Sequence, residues 1–400
     1  MSQDAQIDFT DPAFQADPHP VYAQWRRTGP VRRTRLPSGV HAWLITRYED
    51  ARRALADPRL SKESAFSIGS SRTANRADGP AAVLSRHMLA VDPPDHTRLR
   101  RLVSAAFTVR RIEALRPRIA EITHDLLDAL EGRERADLID AFAFPLPIQV
   151  ICELLGVPAE DRDAFREWSN VIVAGAQSGD RLEPAIRAMV GYILGQIAQR
   201  RAHPGEDLLS GLIQVRDAED RLTEAELSAM VFLLLIAGHE TTVNLIGNGT
   251  CLLLRDRDQW ERLRADRSLL PTAIEEFLRF EGPVETSTFR VATEDVEIGG
   301  VTVPAGDPVV VVLLSANRDE ERFSGADQMR LDRTLNAHLA FGHGIHYCLG
   351  APLARLEAQI AFTALLDRHP GLSLAVAPED LRWRPGQLLR GLEELPVRLL

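Results

Sequence analysis

The sequence predicts a mainly α-helical protein with small β-sheets, an α+β arrangement in which the helices dominate. Residues 111–201 have the spacing of apolar side chains that is typical of amphipathic helices. A second long helix is expected to follow a capping box at 223–226 and to run to about residue 254. Strand-type sequence is found at residues 42–46 and within 286–314, where β-branched residues stand between turn residues.

Shorter elements complete this prediction. Helices are expected at 21–27 and 48–56, and the strands expected in the second region are 286–292, 296–298 and 307–314. Two segments do not show clear periodicity. We expect residues 61–88, which are rich in Ser, Ala and Gly, and residues 169–182 to form mobile loops over a functional site.

Composition narrows the class of protein. A chain of 400 residues with 45% hydrophobic content can bury a large core, and we expect one domain over residues 1–400. The net charge of −10 argues against a general nucleic-acid binder. The first residues lack the pattern of a signal peptide, and the most apolar run, 229–238, is too short to span a bilayer. We therefore expect a cytoplasmic protein that does not bind membranes.

A cysteine lies in a glycine-rich loop at residues 341–350, which read FGHGIHYCLG. An apolar helix follows at once, and Pro352 falls in its first turn, where the missing N–H has no cost. A thiolate before a helix N-terminus is favoured by the positive end of the helix dipole. Cys348 is therefore a candidate ligand or reactive thiol, whereas Cys152 and Cys251 lie in apolar helical runs and are predicted to be buried.

Three interpretations of this loop are possible from its residues alone. Cys348 could be an inert buried thiol, as most lone cysteines are. It could join His338, His343 and His346 in a tetrahedral zinc site, although the spacing matches no common zinc signature. It could also be the axial thiolate of a haem iron.

The long helix contains locally unfavourable residues at 237–242, which read AGHETT. Gly238 costs about 1 kcal/mol relative to alanine in a helix interior, and threonine can bond back to the preceding turn and open the helix. Such violations in a buried helix point to function, here through Glu240 and Thr241. The alternative is a packing notch for a crossing helix.

Two charged patterns complete the sequence evidence. Glu276 and Arg279 share a helix face at spacing i, i+3, which alone indicates a minor surface pair. Residues 96–118 contain seven arginines and one acid, which fits either a solvated helix face or a docking patch. The glycine-rich phosphate motifs of nicotinamide and flavin domains are absent from the sequence.

Together these motifs resemble the cytochrome P450 family, specifically its soluble bacterial members, over nearly the whole chain. Residues 341–350 fit the haem signature F-G-x-G-x-H-x-C-x-G, residues 237–241 fit A-G-x-[DE]-T, and residues 276–279 fit E-x-x-R. The arginine that completes the last motif in this family best matches Arg333. The chain is most similar to members that modify macrolides and other natural products.

The resemblance implies a single, mostly helical domain, a triangular prism that encloses a haem b group. Cys348 would then be the axial ligand of the iron. Glu276, Arg279 and Arg333 would form a structural network beneath the haem. The further haem-binding residues that the resemblance implies are the propionate partners His96, Arg100, Arg290 and His346, together with Ala237, Phe341, Gly342 and Gly350.

The activity implied by the resemblance is a monooxygenase reaction. One oxygen atom from O2 would be inserted into a lipophilic small molecule by hydroxylation or epoxidation, in secondary metabolism or xenobiotic oxidation. Glu240 and Thr241 would deliver protons. Electrons would come from NAD(P)H through an external ferredoxin and reductase, and the expected docking residues are Arg98, Arg101, Arg110 and Arg111. The protein would act as a monomer.

Two other classes remain open at this point. A peroxide-driven peroxygenase would also use the cysteine loop, but such family members usually lack the acid–threonine pair present at Glu240 and Thr241. A haem protein that serves as a partner-binding module would not need both that pair and an intact Cys348 loop. Substrate is not evident from the sequence. Glu285 is either a charged anchor for it or a solvent-facing residue.

Overall fold

The structure, a computed structural model, describes residues 9, 11–36, 39–65, 86–158, 161–216 and 222–399. The helices of these residues are, in chain order, α1 Pro12–Ala16, α2 His19–Thr28, α3 Tyr48–Ala56, α4 Asp95–Ala106, α5 Val109–Ala114, α6 Arg116–Asp128, α7 Pro145–Leu155, α8 Arg162–Ala174, α9 Leu182–Ala202, α10 Leu208–Arg216, α11 Glu224–Arg255, α12 Arg257–Ala265, α13 Leu270–Phe280, α14 Leu313–Ala316 and α15 Ala351–Arg368.

Short strands form three small sheets. The strands are β1 Val31–Arg35, β2 His41–Ile45, β3 Leu60–Ser61, β4 Arg135–Asp137, β5 Arg290–Ala292, β6 Val296–Ile298, β7 Val301–Val303, β8 Pro308–Val311, β9 Ser373–Leu374 and β10 Pro396–Arg398. The largest sheet has the order β1-β2-β8-β5-β3, and the other two are β4-β10-β9 and β6-β7. Helices dominate and the sheets are small, which confirms the predicted fold class.

The chain divides into two compact units. The first comprises Met1–Ser64, Thr123–Ala143 and Thr241–Leu400 and contains all three sheets. The second comprises Ala65–Ile122 and Phe144–Glu240, and its described residues are helical apart from turns and loops.

Strand β8 organises the core of the first unit. It pairs with β2 in parallel and with β5 in antiparallel register, and all four of its residues are buried. Because successive side chains of a strand point to opposite faces, Val309 and Val311 enter one apolar cluster with Leu55. Val310 enters the other cluster, which includes Tyr22. Burial on both faces explains the continuous apolar sequence of this strand.

Several predicted elements are confirmed. Helix α3 and strand β6 have the predicted bounds. The capping box forms at the start of α11: the Thr223 N–H donates to Glu226 Oε2 at 2.7 Å, and the Glu226 N–H donates to Thr223 Oγ1 at 3.2 Å. A reciprocal pair of this kind satisfies two N–H groups that the first helical turn leaves unbonded.

Other predictions of local structure were wrong. The strand expected at 286–292 is limited to β5, and the one expected at 307–314 ends at Val311 because the chain turns into helix α14. The segment 169–182 is not an irregular loop, since it comprises the end of α8, a 3-10 helix at Gly175–Arg181 and the start of α9. Most of the other expected loop, 66–85, lies outside the described residues.

Helix α11 is longer and more apolar than the run 229–238 suggested. By length and composition it could cross a membrane, since an 18-residue window reaches a mean hydropathy of 1.6. However, 67% of that window is buried inside the protein. Burial by protein satisfies apolar side chains as well as lipid does, so the helix has the character of a core element.

A cluster of buried charges lies in the first unit. Arg390 donates from Nε to Glu281 Oε1 at 2.7 Å, and His19 Nε2 lies 3.0 Å from Glu281 Oε2. Next to this pair, Glu285 accepts a hydrogen bond from the Tyr22 hydroxyl and is only 1% exposed. Glu285 is therefore not solvent-facing. Burial raises the pKa of Glu285 to about 7, although Arg390 acts in the opposite direction.

The Glu285 carboxyl predicts a pH-dependent contribution to stability. The folded protein holds this proton up to about pH 7, whereas the unfolded chain releases it near the ordinary pKa of 4.5. The stabilisation is therefore fully present below pH 4.5 and is lost as the pH rises through 7. Relative to Glu285→Gln, the wild-type free energy of unfolding should fall by on the order of 3 kcal/mol across this interval.

Urea unfolding of both proteins at a series of pH values would measure this difference. The control is Glu297→Gln, the same change at an exposed position of β6. Its profile should run parallel to that of the wild type. Parallel profiles for Glu285→Gln and wild type would contradict the prediction.

Candidate functional site

The cysteine loop is a compact turn held by its own backbone. The Cys348 N–H donates to the Phe341 carbonyl at 2.9 Å, which closes the loop between its two ends. Gly342 and Gly344 both have a φ of 74°, a left-handed conformation that side chains rarely adopt. The Cys348 thiol is exposed, and helix α15 begins three residues later with Pro352 in its first turn.

Gly344 also permits a close approach between the loop and helix α3. A Cβ atom at this position would lie 3.1 Å from the Leu55 carbonyl oxygen and 3.2 Å from Ala56 Cα. Neither backbone atom can move aside without shifting the helix. Gly344 is therefore needed for its backbone conformation and for the space that it leaves.

The other two cysteines are confirmed as core residues. Cys152 and Cys251 are buried, and burial raises the pKa of Cys251 to about 12. A thiol with such a pKa stays protonated at neutral pH and is neither a metal ligand nor a nucleophile. Among the three cysteines, Cys348 alone presents its sulfur at a surface.

The zinc interpretation has no support in the geometry. Over the residues that the structure describes, no group of three or more His, Cys, Asp or Glu side chains is placed to hold a metal ion. Instead, His338 Nε2 lies 3.1 Å from Glu275 Oε2. The four predicted donors are therefore not gathered around one point.

Glu276 is the centre of a buried network in the first unit. Its carboxylate receives two hydrogen bonds from Arg279, at 2.7 Å each, and two from Arg333, at 3.0 and 3.2 Å. The Arg330 N–H and the Asn336 side-chain amide also donate to it. Glu276 and Arg279 are completely buried, so this is not the minor surface pair that the i, i+3 spacing alone indicated.

The same two arginines hold the irregular chain that leads to the cysteine loop. Arg279 donates to the carbonyls of Asn317 and Ala326, and Arg333 donates to those of Ser324 and Gly325. Backbone carbonyls in a segment without regular structure otherwise lack partners. The predicted assignment of Arg333 to this network is confirmed by its bonds to the Glu276 carboxylate.

Three other predicted site residues lie in the first unit. Arg290 is buried on β5, where its Nη1 donates to the Leu60 carbonyl at 3.3 Å. His346 is half-buried in the 3-10 turn of the cysteine loop. Thr241 is half-buried on α11, whereas its neighbour Thr242 is buried.

The second unit contains the remaining predicted residues. His96 is buried on α4, and Arg100 follows one turn later. Burial lowers the pKa of His96, and the charge of Arg100 lowers it further. On α11, Ala237 is exposed whereas Glu240 is buried. A helical spacing of four places Ala237 and Thr241 on the same side of α11.

Gly238 is a packing notch. A Cβ atom there would lie 2.9 Å from Ile151 Cδ1 of helix α7. This confirms the packing interpretation for the glycine. Helix α11 also continues as one α-helix from Glu224 to Arg255.

His239 is a residue whose role sequence reasoning missed. Its Nδ1 donates to the Leu235 carbonyl at 2.8 Å, so a neutral ring accepts at Nε2 from the Ser169 hydroxyl, 3.1 Å away. Nε2 also lies 3.4 Å from Glu240 Oε1. The ring thus connects α11 with α8 and lies beside the predicted catalytic carboxylate. The sequence around His239 does not indicate its contact with Ser169, which lies 70 residues earlier in the chain.

The predicted docking patch is smaller than its arginine count suggested. Arg98 forms ion pairs with Glu226 and Asp95, and the Arg111 side chain donates to the Ala106 carbonyl at 3.1 Å. These arginines therefore serve contacts within the second unit. Arg101 and Arg110 are exposed, and Val109 beside Arg110 is 65% exposed.

Comparisons with known proteins agree with this geometry. The family model described as Cytochrome P450 matches residues 196–371. Cytochrome P450 107B1 of Saccharopolyspora erythraea is 55% identical over 97% of this chain and 96% of its own length. The chain belongs to the cytochrome P450 family. The cytochrome P450 monooxygenase PikC of Streptomyces venezuelae is 50% identical to this P450, over 96% of this chain and 92% of its own.

A solved structure shows the same fold. The P450 monooxygenase TamI with bound tirandamycin C superposes with a TM-score of 0.91 at 52% identity, covering 98% of this P450 and 99% of TamI. This P450 is accordingly a haem-thiolate monooxygenase of natural-product biosynthesis, and its cofactor is haem iron.

The residues present suit a haem group. The exposed thiol on a rigid loop is the donor that a haem-thiolate iron requires. The cationic and hydrogen-bond-donating side chains of His96, Arg100, Arg290 and His346 suit the two carboxylates that haem carries. In each unit the site residues therefore have the chemistry that the cofactor demands.

Proposed function

We propose that Cys348 would ligate the haem iron through its thiolate, and that His96, Arg100, Arg290 and His346 would bind the haem propionates. Haem, when bound, supplies the activation of O2 and the oxidising power. The observation that carries the assignment is that Cys348 is exposed on a loop fixed by Gly342 and Gly344 before a helix N-terminus. The remaining haem contacts in this proposal are those of Ala237, Phe341, Gly342 and Gly350.

Glu240 and Thr241 have the role of moving protons during the reaction. The carboxyl group of Glu240 is buried beside His239, and the hydroxyl of Thr241 is half-buried at the next helical position. A buried acid and a neighbouring hydroxyl can pass a proton inward from solvent in steps. The protein thus controls where protons arrive, and the cofactor carries the oxidation.

The substrate we propose is a lipophilic natural product of the polyketide class, which is hydroxylated or epoxidised. The support is similarity: TamI, at 52% identity over 98% of this chain, was solved with tirandamycin C bound. The whole chain, residues 1–400, acts as one monomeric catalytic domain in the cytoplasm. Coverage of 97% of the chain by one relative supports a single catalytic domain.

Electrons reach the haem from NAD(P)H through a reductase and an acidic ferredoxin. The docking charge is assigned chiefly to Arg101 and Arg110, because the side chains of both residues are exposed. Exposed Val109 beside Arg110 adds an apolar contact. A mixed surface of this kind steers an acidic partner by charge and holds it by apolar burial.

Replacing Cys348 with alanine should abolish the thiolate-type spectrum of the reduced, CO-bound protein together with all turnover. Neither of the other cysteines can substitute, because both are buried. Cys251→Ala is the matched control and should keep the spectrum and the activity. Retention of the thiolate band in Cys348→Ala would exclude this residue as the ligand.

Replacing Thr241 with alanine should uncouple NADPH consumption from product formation. Misdirected protons release hydrogen peroxide, so product per NADPH should fall severalfold while peroxide rises and substrate affinity stays nearly unchanged. Thr242→Ala is the control, since Thr242 lies about 100° further round the helix and should have a much milder effect. Product and peroxide per NADPH are measured for both. Full coupling in Thr241→Ala would refute the proton-delivery role.

Charge reversal at Arg101 and Arg110 should slow reduction by ferredoxin by at least tenfold at low salt and leave substrate binding unchanged. The wild-type rate should also fall with ionic strength, because salt screens charges that lie beyond the Debye length, about 8 Å at physiological salt. Stopped-flow reduction measures both effects. Arg133→Glu, the same reversal at an exposed residue of the first unit, is the control. Equal rates for all proteins would remove this patch from the interface.

A further inference from the structure

Glu275 lies next to Glu276 on α13 but binds different partners. Glu276 accepts hydrogen bonds from Arg279 and Arg333. Glu275 accepts two hydrogen bonds from Arg355 of α15, at 2.6 Å to Oε1 and 2.8 Å to Oε2. Its Oε2 also lies 3.1 Å from His338 Nε2. The E-x-x-R motif does not include this second carboxylate.

The two partners of Glu275 lie on either side of the cysteine loop in the sequence. His338 precedes the loop, and its Nδ1 accepts from the Ala340 N–H at 3.2 Å, which orients the ring. Arg355 follows the loop by five residues and lies in the second turn of α15. The Glu275 carboxylate therefore binds side chains from the segments before and after Cys348.

Arg355 also contacts the loop itself. Its guanidinium carbon lies 4.5 Å from the centre of the Phe341 ring. The Cys348 N–H is in turn bonded to Phe341. The planar guanidinium thus binds Glu275 with its edge and Phe341 with its face, which a lysine could not do.

The charges of this cluster are permanent. Although burial opposes it, the hydrogen bonds from Arg355 and His338 lower the pKa of Glu275 to about 2. The bond to Glu275 in turn raises the pKa of Arg355 above its ordinary value. Glu275 is therefore ionised and Arg355 protonated throughout the working range of pH. Both are only partly exposed, so solvent screens their charges less than it would at an open surface.

We propose that Glu275, Arg355 and His338 form a positioning network for Cys348, which fixes both ends of the cysteine loop to α13 and α15 and sets the balance of charge around the thiolate. This inference rests on the proposed role of Cys348 as the haem ligand. Its physical basis is that a loop with three glycines loses much backbone entropy when it is ordered, so side-chain bonds at both ends add to the backbone bond between Cys348 and Phe341. The ion pair also places one positive and one negative charge close to the loop, and their effects on the iron oppose each other.

The test uses variants that break the same ion pair but change the charge in opposite directions. Glu275→Gln removes a negative charge, and Arg355→Gln removes a positive one. Both should lose part of the thiolate band of the reduced, CO-bound holoenzyme in favour of the band of the form that has lost thiolate ligation. The midpoint potential of the haem iron should rise in Glu275→Gln and fall in Arg355→Gln, because reduction adds a negative charge to the haem.

The double variant Glu275→Gln/Arg355→Gln separates position from charge. Its potential should return close to that of the wild type, whereas its thiolate band should remain partly lost. Asp367→Asn is the matched control: it breaks an ion pair with Arg267 near the end of the same helix, α15, at 2.6 Å. This control should leave both the band and the potential unchanged.

The outcomes distinguish this inference from the proposed function. If the wild type shows the thiolate band but both single variants match it in band and potential, the positioning network is refuted while Cys348 remains the ligand. If both single variants shift the potential in the same direction, the effect is merely structural and the assigned role of charge is refuted. If the wild type itself lacks the thiolate band, or Cys348→Ala keeps it, the proposed function fails first.

Discussion

One completely buried carboxylate, that of Glu276, is the constraint on which the functional loop depends. A buried charge is tolerated only when it is paired and fully hydrogen-bonded. Glu276 meets this requirement with two guanidinium groups, a backbone N–H and a side-chain amide. Because Arg279 and Arg333 must also bond the carbonyls of the irregular segment, satisfying this one charge fixes the path of the chain towards Cys348.

The adjacent carboxylates of Glu275 and Glu276 on α13 therefore position different parts of the chain around the cysteine. Consecutive helical residues point about 100° apart, so Glu275 and Glu276 meet different neighbours. Glu276, which is buried, positions the segment that leads to the cysteine loop. Glu275, which is partly exposed, contacts His338 before the loop and Arg355 after it. The loop is closed by its own backbone bond between Cys348 and Phe341, and side chains of helices α13 and α15 hold the chain on either side of it.

Predictions made from residue spacing failed where the same pattern fits either a functional role or a structural one. Gly238 belongs to a family motif, yet its contact with Ile151 shows that it makes room for a crossing helix. The arginines of residues 96–118 looked like one basic patch, but Arg98 and Arg111 are engaged by groups of the second unit. The charge of a segment says nothing about which acids and carbonyls the fold brings to it.

The amino-acid sequence was sufficient to predict the fold class, the capping box, the burial of Cys152 and Cys251, and the motifs around Cys348, Glu276 and Thr241. These depend on local periodicity and on residue types at fixed short spacings, which a sequence displays directly. The hydrogen-bond partners of the polar side chains are known only from the folded structure. Glu275 with Arg355, His239 with Ser169, and Tyr22 with Glu285 are pairs separated by 70 residues or more. Hydrogen bonds extend over about 3 Å of space, and the distance along the chain contains no information about that separation.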